Sequence, residues 1–105
     1  MEAQALLKEI KGNLQKENGM VVEKVILFGS RADNSAEKYS DYDVLVVIGK
    51  KLSWRQKDKL LETIADVALE HDIVIDAHLI SSSELSSVKG KQPYIQKALS
   101  AGIAV

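Results

Sequence analysis

The stretch GSRADNSAEKYSDYDVLVV, residues 29–47, decides the fold of this chain. It opens on a Gly-Ser pair that ends one β-branched apolar run, and Asp41 and Asp43 lead into a second such run. Two short apolar runs bounded by glycine and polar residues predict two β-strands. The two aspartates are either a solvated entrance to the second strand or a site for a cation above a bound phosphate.

The pattern outside this stretch predicts an α/β chain with one sheet of three strands and about four flanking helices. The strands are expected at residues 24–28, 42–48 and 73–80, and the helices at residues 3–18 and 53–70, from residue 93 to about 101, and as a short helix or loop within 30–39. Ser53 and Gln56 have the spacing of a capping box, and Pro93 fits the first turn of a helix. Apolar residues on both faces predict that the first strand is central.

Composition excludes several classes of protein. The chain has 105 residues, which fits a single domain over residues 1–105. A net charge of -1 makes a dedicated nucleic-acid-binding module a poor fit, and the lack of cysteine excludes disulfides and thiolate metal sites. The N-terminus lacks the apolar core of a signal peptide, and every apolar run is too short to span a membrane. We expect a cytoplasmic protein without membrane or direct nucleic-acid partners.

The two aspartates and the Gly-Ser pair can form one site. On a strand, Asp41 and Asp43 point to the same face, roughly 7 Å apart, and their charges repel unless a cation lies between them. Mg²⁺ suits such oxygen ligands and also binds phosphate. Gly29 lets the backbone approach an anion, and Ser30 adds a hydroxyl donor. If the strand that ends at Gly29 and the strand that begins near Asp41 are neighbours, the phosphate-binding backbone and the metal ligands meet at one edge of the sheet.

Asp76 is the third candidate carboxylate. It lies inside the third predicted strand, where an unpaired buried carboxylate is costly. If that strand neighbours the second, Asp76 joins Asp41 and Asp43 around two Mg²⁺ ions roughly 4 Å apart, as in phosphoryl-transfer sites. One ion would hold a triphosphate and the other would activate a hydroxyl, with Asp76 as its base. A core aspartate bonded to backbone amides is the alternative.

Gly29-Ser30 followed after ten residues by Asp41-Tyr42-Asp43 resembles the signature of the DNA polymerase β-like nucleotidyltransferase superfamily. More narrowly, FGSRA with SDYDVLVV resembles the minimal nucleotidyltransferases of bacteria and archaea, and the tail PYIQKALSAGIAV resembles the end of those domains. The resemblance implies a nucleotidyltransferase fold with a mixed sheet. It also implies Mg²⁺, a nucleoside triphosphate such as ATP, and nucleotidyl transfer with release of pyrophosphate.

The resemblance also implies roles for matched positions. Phosphate binding falls to Gly29 and Ser30, metal binding to Asp41 and Asp43, and the third carboxylate to Asp76. Asp72 competes with Asp76 because it lies nearer the entrance of the strand.

Other side chains near the motif have two readings each. Ser30 can also be a helix N-cap. Arg31 either contacts phosphate or pairs with a surface glutamate. Asp33 departs from the pattern of many family members, which have Arg or Gly after GSRA, and its charge would weaken triphosphate binding if it points that way.

Three further residues are expected to be structural. His71 and His78 lack ligand spacing and neighbouring ligands, which favours structural or surface roles. Trp54 is expected to be a packing residue rather than a platform for a base.

The resemblance implies a protein partner as well. The predicted catalytic core takes up the sequence after the first helix and leaves no separate domain to select an acceptor. We therefore expect the acceptor, or the surface that binds it, to come from another subunit. Minimal nucleotidyltransferases typically pair with a small all-helical protein of the HEPN class, often a ribonuclease toxin. The implied function is an antitoxin that transfers AMP from ATP to a tyrosine of that partner. The alternatives are an antitoxin that neutralises by binding alone, and a homodimer that modifies a small molecule.

Overall fold

The computed structural model describes residues 2–18, 22–32, 40–87 and 89–105. The helices are α1 (Ala3–Asn18), α2 (Trp54–Glu70), α3 (Ser82–Leu85) and α4 (Pro93–Ala101), with 3-10 turns at Gly29–Arg31 and Lys89–Lys91. The strands are β1 (Val22–Phe28), β2 (Tyr42–Ile48), β3 (Ile75–Ser81) and β4 (Ile103–Ala104). Among the described helices, none has the length and apolar character needed to cross a membrane.

The strands form one mixed sheet in the order β3-β2-β1-β4. β2 runs antiparallel to β1 and parallel to β3, and β4 runs antiparallel to β1. The predictions of a mixed sheet and of a central first strand are therefore confirmed, and β2 lies between β1 and β3, as the proposed site requires. In this register Asp43 lies opposite Phe28 on one side and opposite Asp76 on the other.

The prediction of three strands is wrong by one. β4 adds a fourth, in which Ile103 and Ala104 pair with Leu27 and Ile26 of β1. Next to this pair, the backbones of Val25 and Val105 exchange hydrogen bonds of 3.2 and 3.0 Å. A two-residue strand has no measurable periodicity, so its existence depends on the neighbouring edge of β1.

β3 begins two residues later than the sequence predicts. The end of α2 leads into a turn in which Asp72 has a φ of 54°. The amide of Ile73 then donates to the carbonyl of Ala68 at 3.0 Å, which ties this residue to the helix instead of the sheet. The strand starts only at Ile75.

The predicted helix starts are confirmed. The Ser53 hydroxyl accepts a hydrogen bond from the amide of Gln56 at 3.2 Å, and the Ser53 amide donates to the side chain of Gln56 at 2.9 Å. This capping box satisfies two donors at the start of α2. Pro93 occupies the first turn of α4. The expected short helix or loop over residues 30–39 lies mostly outside the described residues, as does Asp33.

Helices cover both faces of the sheet. α1 and α2 pack on one face, where the larger buried cluster includes Leu7, Leu14, Val44 and Leu60. α4 packs on the other face against a smaller cluster. That cluster consists of Ile26, Phe28, Leu45, Val47, Ile80, Ile95 and Ala98. Since alternate strand residues share a face, the side chain of Asp43 extends the row of Leu45 and Val47 on the α4 side.

Candidate active site

Two carboxylates and a histidine lie together where the smaller cluster reaches the edge of the sheet. Asp43 and Asp76 are direct cross-strand partners, and His78 lies opposite Leu45 two pairs further along. These three side chains share the face on which α4 packs. The sheet therefore brings together residues that are more than thirty positions apart in sequence.

Gly29 approaches the Asp43 carboxylate more closely than any other residue type allows. Its φ is 74°, and a Cβ at this position would overlap Oδ2 of Asp43. The amide of Ala32 donates to the carbonyl of Gly29 at 3.1 Å, which closes the turn. Ser30 lies inside this turn, whose cap position is Phe28, so the interpretation of Ser30 as an N-cap is wrong. The backbone of the Gly-Ser pair thus lies beside the carboxylates.

The negative charges at this edge destabilise one another. Burial raises the pKa of Asp43 most, and the neighbouring Asp76 carboxylate raises it further. His78 lowers this pKa and Asp41 raises it. An acid whose ionised form is disfavoured in this way is stabilised by a bound cation. Asp41 is exposed and lies close enough to add to the negative field.

The donor atoms at this edge fit a divalent cation. One ligand atom each from Asp43, Asp76 and His78 lies within 4.8 Å of the other two. An octahedral ion with bonds of about 2.1 Å places neighbouring ligands about 3 Å apart and opposite ligands about 4.2 Å apart. Small side-chain rotations reach that spacing. Asp41 is not part of this three-residue group among the described residues.

Asp76 is not the core aspartate that the alternative interpretation described. Its side chain is 56% exposed, so the expectation of a buried carboxylate is wrong. Asp76 is accessible because β3 is an edge strand. The competing residue, Asp72, lies in the turn before β3 and does not belong to the ligand group that includes Asp43.

Arg31 makes contacts on the opposite side of this edge. Its Nε and Nη2 donate to the carbonyl of Ser40 at 3.2 and 2.9 Å. Its guanidinium lies 4.4 Å from the centre of the Tyr42 ring, which packs in the cluster under α1 and α2. These contacts hold the Arg31 side chain against Ser40 and Tyr42.

The expectation that His71 and His78 lack neighbouring ligands is wrong, and so is the expectation that Trp54 packs; structural or surface roles for the histidines stay a prediction. His78 has two carboxylates beside it, and His71 lies with Glu9 and Glu70. His78 could have been found by the alternation that joins Asp41 to Asp43, because it follows Asp76 by two positions on a strand. Trp54 is not a packing residue, since 69% of it is exposed.

Comparison with known proteins gives the family. The model of the polymerase beta nucleotidyltransferase family matches residues 8–91. MJ0141 of Methanocaldococcus jannaschii, which bears the name of a protein adenylyltransferase, is 31% identical over 75 residues. That match covers 71% of this chain and 76% of the relative.

Solved structures share the fold. A crystal structure of a toxin-antitoxin with AMP-PNP matches with a TM-score of 0.56 and 22% identity, over 87% of this chain. This chain spans 65% of the length of that protein. A structure of the toxin-antitoxin MntA-HpeT matches with a TM-score of 0.59 and 18% identity, over 99% of this chain and 72% of the other.

Proposed function

Because the chain belongs to the polymerase beta nucleotidyltransferase family, we propose that it is a metal-dependent nucleotidyltransferase that acts on a protein. The transferred group is AMP from ATP, and the acceptor is a tyrosine hydroxyl of a helical partner of the HEPN class. In this pair the chain is the antitoxin. The adenylyltransferase name of the jannaschii relative and the toxin-antitoxin structures with the same fold support this assignment.

The main observation behind this proposal is that Asp43, Asp76 and the turn at Gly29 lie next to one another. A bound triphosphate needs hydrogen-bond donors and a cation at the same place. At this edge the backbone of the Gly29 turn lies beside carboxylates that could hold the cation. Asp43, Asp41 and Asp76 are the proposed ligands of Mg²⁺ or a similar ion, with Gly29 and Ser30 at the phosphates. A divalent cation held by these carboxylates would neutralise the phosphate oxygens and would lower the pKa of the acceptor hydroxyl.

The residues of the chain supply positioning and a base. The acceptor oxygen forms a bond to the α-phosphorus as the bond to the bridging oxygen breaks, and pyrophosphate leaves. The hydroxyl proton passes to the carboxylate of Asp76, whose exposed side chain is accessible to an acceptor from outside the chain. The product is a phosphodiester between AMP and the tyrosine.

A protein acceptor is supported by the outer face of α2. Trp54, Leu61 and Leu69 are exposed on it, with 69%, 40% and 82% of each residue accessible. Their spacings of seven and eight residues put them on one stripe of the helix. An exposed apolar stripe of this kind marks a surface that another protein covers. We propose that the helical partner docks here.

Charge indicates the chemistry of that partner. Along one side of the stripe, acidic residues recur every four positions, and all of them are exposed: Asp58, Glu62, Asp66 and Glu70. The exposed cations Arg55 and Lys59 lie on the same side near the N-terminal end of α2, so the excess negative charge is concentrated toward its C-terminal end. A partner helix with an apolar stripe and flanking Lys or Arg is complementary.

The test is direct transfer to the partner. The chain is mixed with the product of the adjacent gene and Mg-ATP, and the partner is weighed by mass spectrometry. We expect a gain of one AMP on a tyrosine, abolished by Asp43→Asn and retained in Asp72→Asn, in the turn before β3. If the partner is inhibited without a mass change, and Asp43→Asn still inhibits it, the protein neutralises by binding alone.

A further inference from the structure

His78 holds a nitrogen atom at the edge of the candidate metal site. Its Nε2 lies 3.4 Å from Oδ2 of Asp76, and both residues belong to the ligand group completed by Asp43. Because Asp76 and His78 are alternate residues of β3, their side chains project from the same face. The position of the imidazole is thus set by the sheet and not by a loop.

The imidazole ring packs beside two aromatic side chains. Its centre lies 5.6 Å from the Phe28 ring and 5.0 Å from the Tyr94 ring. Phe28 comes from β1 and Tyr94 from α4, so the ring is bounded by two elements besides its own strand. Because the Phe28 and Tyr94 ring centres are only 6.3 Å apart, both rings pack on one side of the imidazole and restrict its rotation toward that side. A ligand held in this way binds a metal ion with little further ordering.

The other histidine of the chain gives a useful contrast. Nε2 of His71 lies 3.0 Å from each carboxylate oxygen of Glu9, which is ordinary hydrogen-bond distance. His71 therefore has a close protein partner for this nitrogen. At 3.4 Å, Nε2 of His78 and Oδ2 of Asp76 are further apart than a good N–H···O bond requires.

We infer that Nε2 of His78 is a direct ligand of the divalent cation at Asp43 and Asp76, and that it makes this site prefer Mn²⁺ to Mg²⁺. The inference rests on the proposed function, because it concerns the same site. Mg²⁺ is a hard ion that favours oxygen and keeps its water molecules, whereas first-row transition ions accept imidazole nitrogen. The proposed carboxylate ligands Asp41, Asp43 and Asp76 together with one imidazole still leave two octahedral positions open for phosphate oxygens and water.

The experiment measures metal binding without catalysis. The protein is titrated with Mn²⁺ and the free ion is followed by its EPR signal, with and without inorganic tripolyphosphate, which supplies phosphate oxygens but no nitrogen. Electron spin echo modulation then detects nitrogen bonded to the bound ion. We expect modulation from one ¹⁴N in the wild-type protein, and its replacement by a ¹⁵N pattern when the histidines are labelled.

Variants locate that nitrogen. His78→Gln is expected to lose the modulation and to bind Mn²⁺ about tenfold more weakly, while the affinity for Mg²⁺, measured by competition, changes less than about twofold. His71→Gln is the matched control, because its imidazole also lies beside two carboxylates, and it is expected to keep both the affinity and the modulation. Circular dichroism checks that the variants are folded.

Several results would overturn the inference. These are bound Mn²⁺ without nitrogen modulation in the wild-type protein, loss of modulation in His71→Gln, and no Mn²⁺ binding at millimolar concentration even with tripolyphosphate. The chain has two histidines, so labelling combined with His71→Gln identifies the ligand even if His78→Gln is poorly folded. Nitrogen ligation without AMP transfer would overturn only the proposed function, and AMP transfer without nitrogen ligation would overturn only this inference.

Discussion

The carboxylate of Asp43 lies against Gly29, in the space that the Cβ of any other residue at position 29 would occupy. The contact joins the turn after β1 to the start of β2, and the positive φ of 74° makes the position doubly specific for glycine. This one relationship fixes where the proposed phosphate-binding backbone lies relative to a proposed metal ligand.

Gly29→Ala is therefore expected to lower the free energy of unfolding by about 1–3 kcal/mol, because it adds a positive-φ penalty and a clash. Urea unfolding followed by circular dichroism measures the change. Gly12→Ala is the control, since Gly12 lies inside α1 with open space around it, and it should raise stability by about 0.5–1 kcal/mol. Equal stability of Gly29→Ala and the wild type would contradict the described contact.

Asp43→Asn is expected to stabilise the metal-free protein at neutral pH. The pKa of Asp43 is raised in the folded state, so between its ordinary value of 3.8 and the raised value the native state binds more protons than the unfolded state. The free energy of unfolding therefore falls as pH rises through this window, and the loss persists above it. The amide carries no charge and avoids this loss.

In EDTA at pH 7, thermal unfolding should give Asp43→Asn a midpoint a few degrees above the wild type, and the difference should disappear below the ordinary pKa. Asp66→Asn, on the exposed face of α2, is the control and should differ little from the wild type. Added Mn²⁺ should narrow the gap, because it stabilises the wild type more. A lower midpoint for Asp43→Asn in EDTA would contradict the raised pKa.

Asp76 and Asp72 can be distinguished by matched substitutions. Asp76→Asn should lower the rate of AMP transfer at least about a hundredfold, because it removes the proposed base. Asp72→Asn should leave the rate within about twofold, since asparagine also tolerates the left-handed backbone at this position. Transfer rates measured by mass spectrometry under identical conditions check both. A slow Asp72→Asn beside an unaffected Asp76→Asn would reverse the assignment.

Leu69→Glu is expected to weaken binding of the helical partner at least about tenfold, because it places a charge in the exposed stripe of α2. The thermal stabilisation by Mg-ATP should be unchanged, since α2 packs on the face of the sheet opposite the carboxylates. Leu99→Glu is the matched control, because Leu99 is also exposed but lies on α4. Equal affinity of both variants for the partner would argue against docking on α2.

Most of the fold could be read from local patterns. β2, the capping box of α2 and the proline start of α4 follow from alternation, cap spacing and the fixed φ of proline. β4 could not be read in this way, because Ile103 and Ala104 become a strand only through the free edge of β1. The exposure of Trp54 also had no local signal, since an aromatic residue in a first helical turn can face either way.

The sequence by itself determined that a glycine turn follows β1, that aspartates lie at the start of β2, and that alternate strand residues share a face. These features depend on backbone geometry over only a few positions. Tertiary structure decided which distant groups meet. Parallel pairing with β3 set Asp76 opposite Asp43, and β3 at the edge of the sheet left Asp76 exposed. The same pairing brought His78 beside both carboxylates. Register between strands is fixed by packing of the whole sheet, which no short stretch of sequence contains.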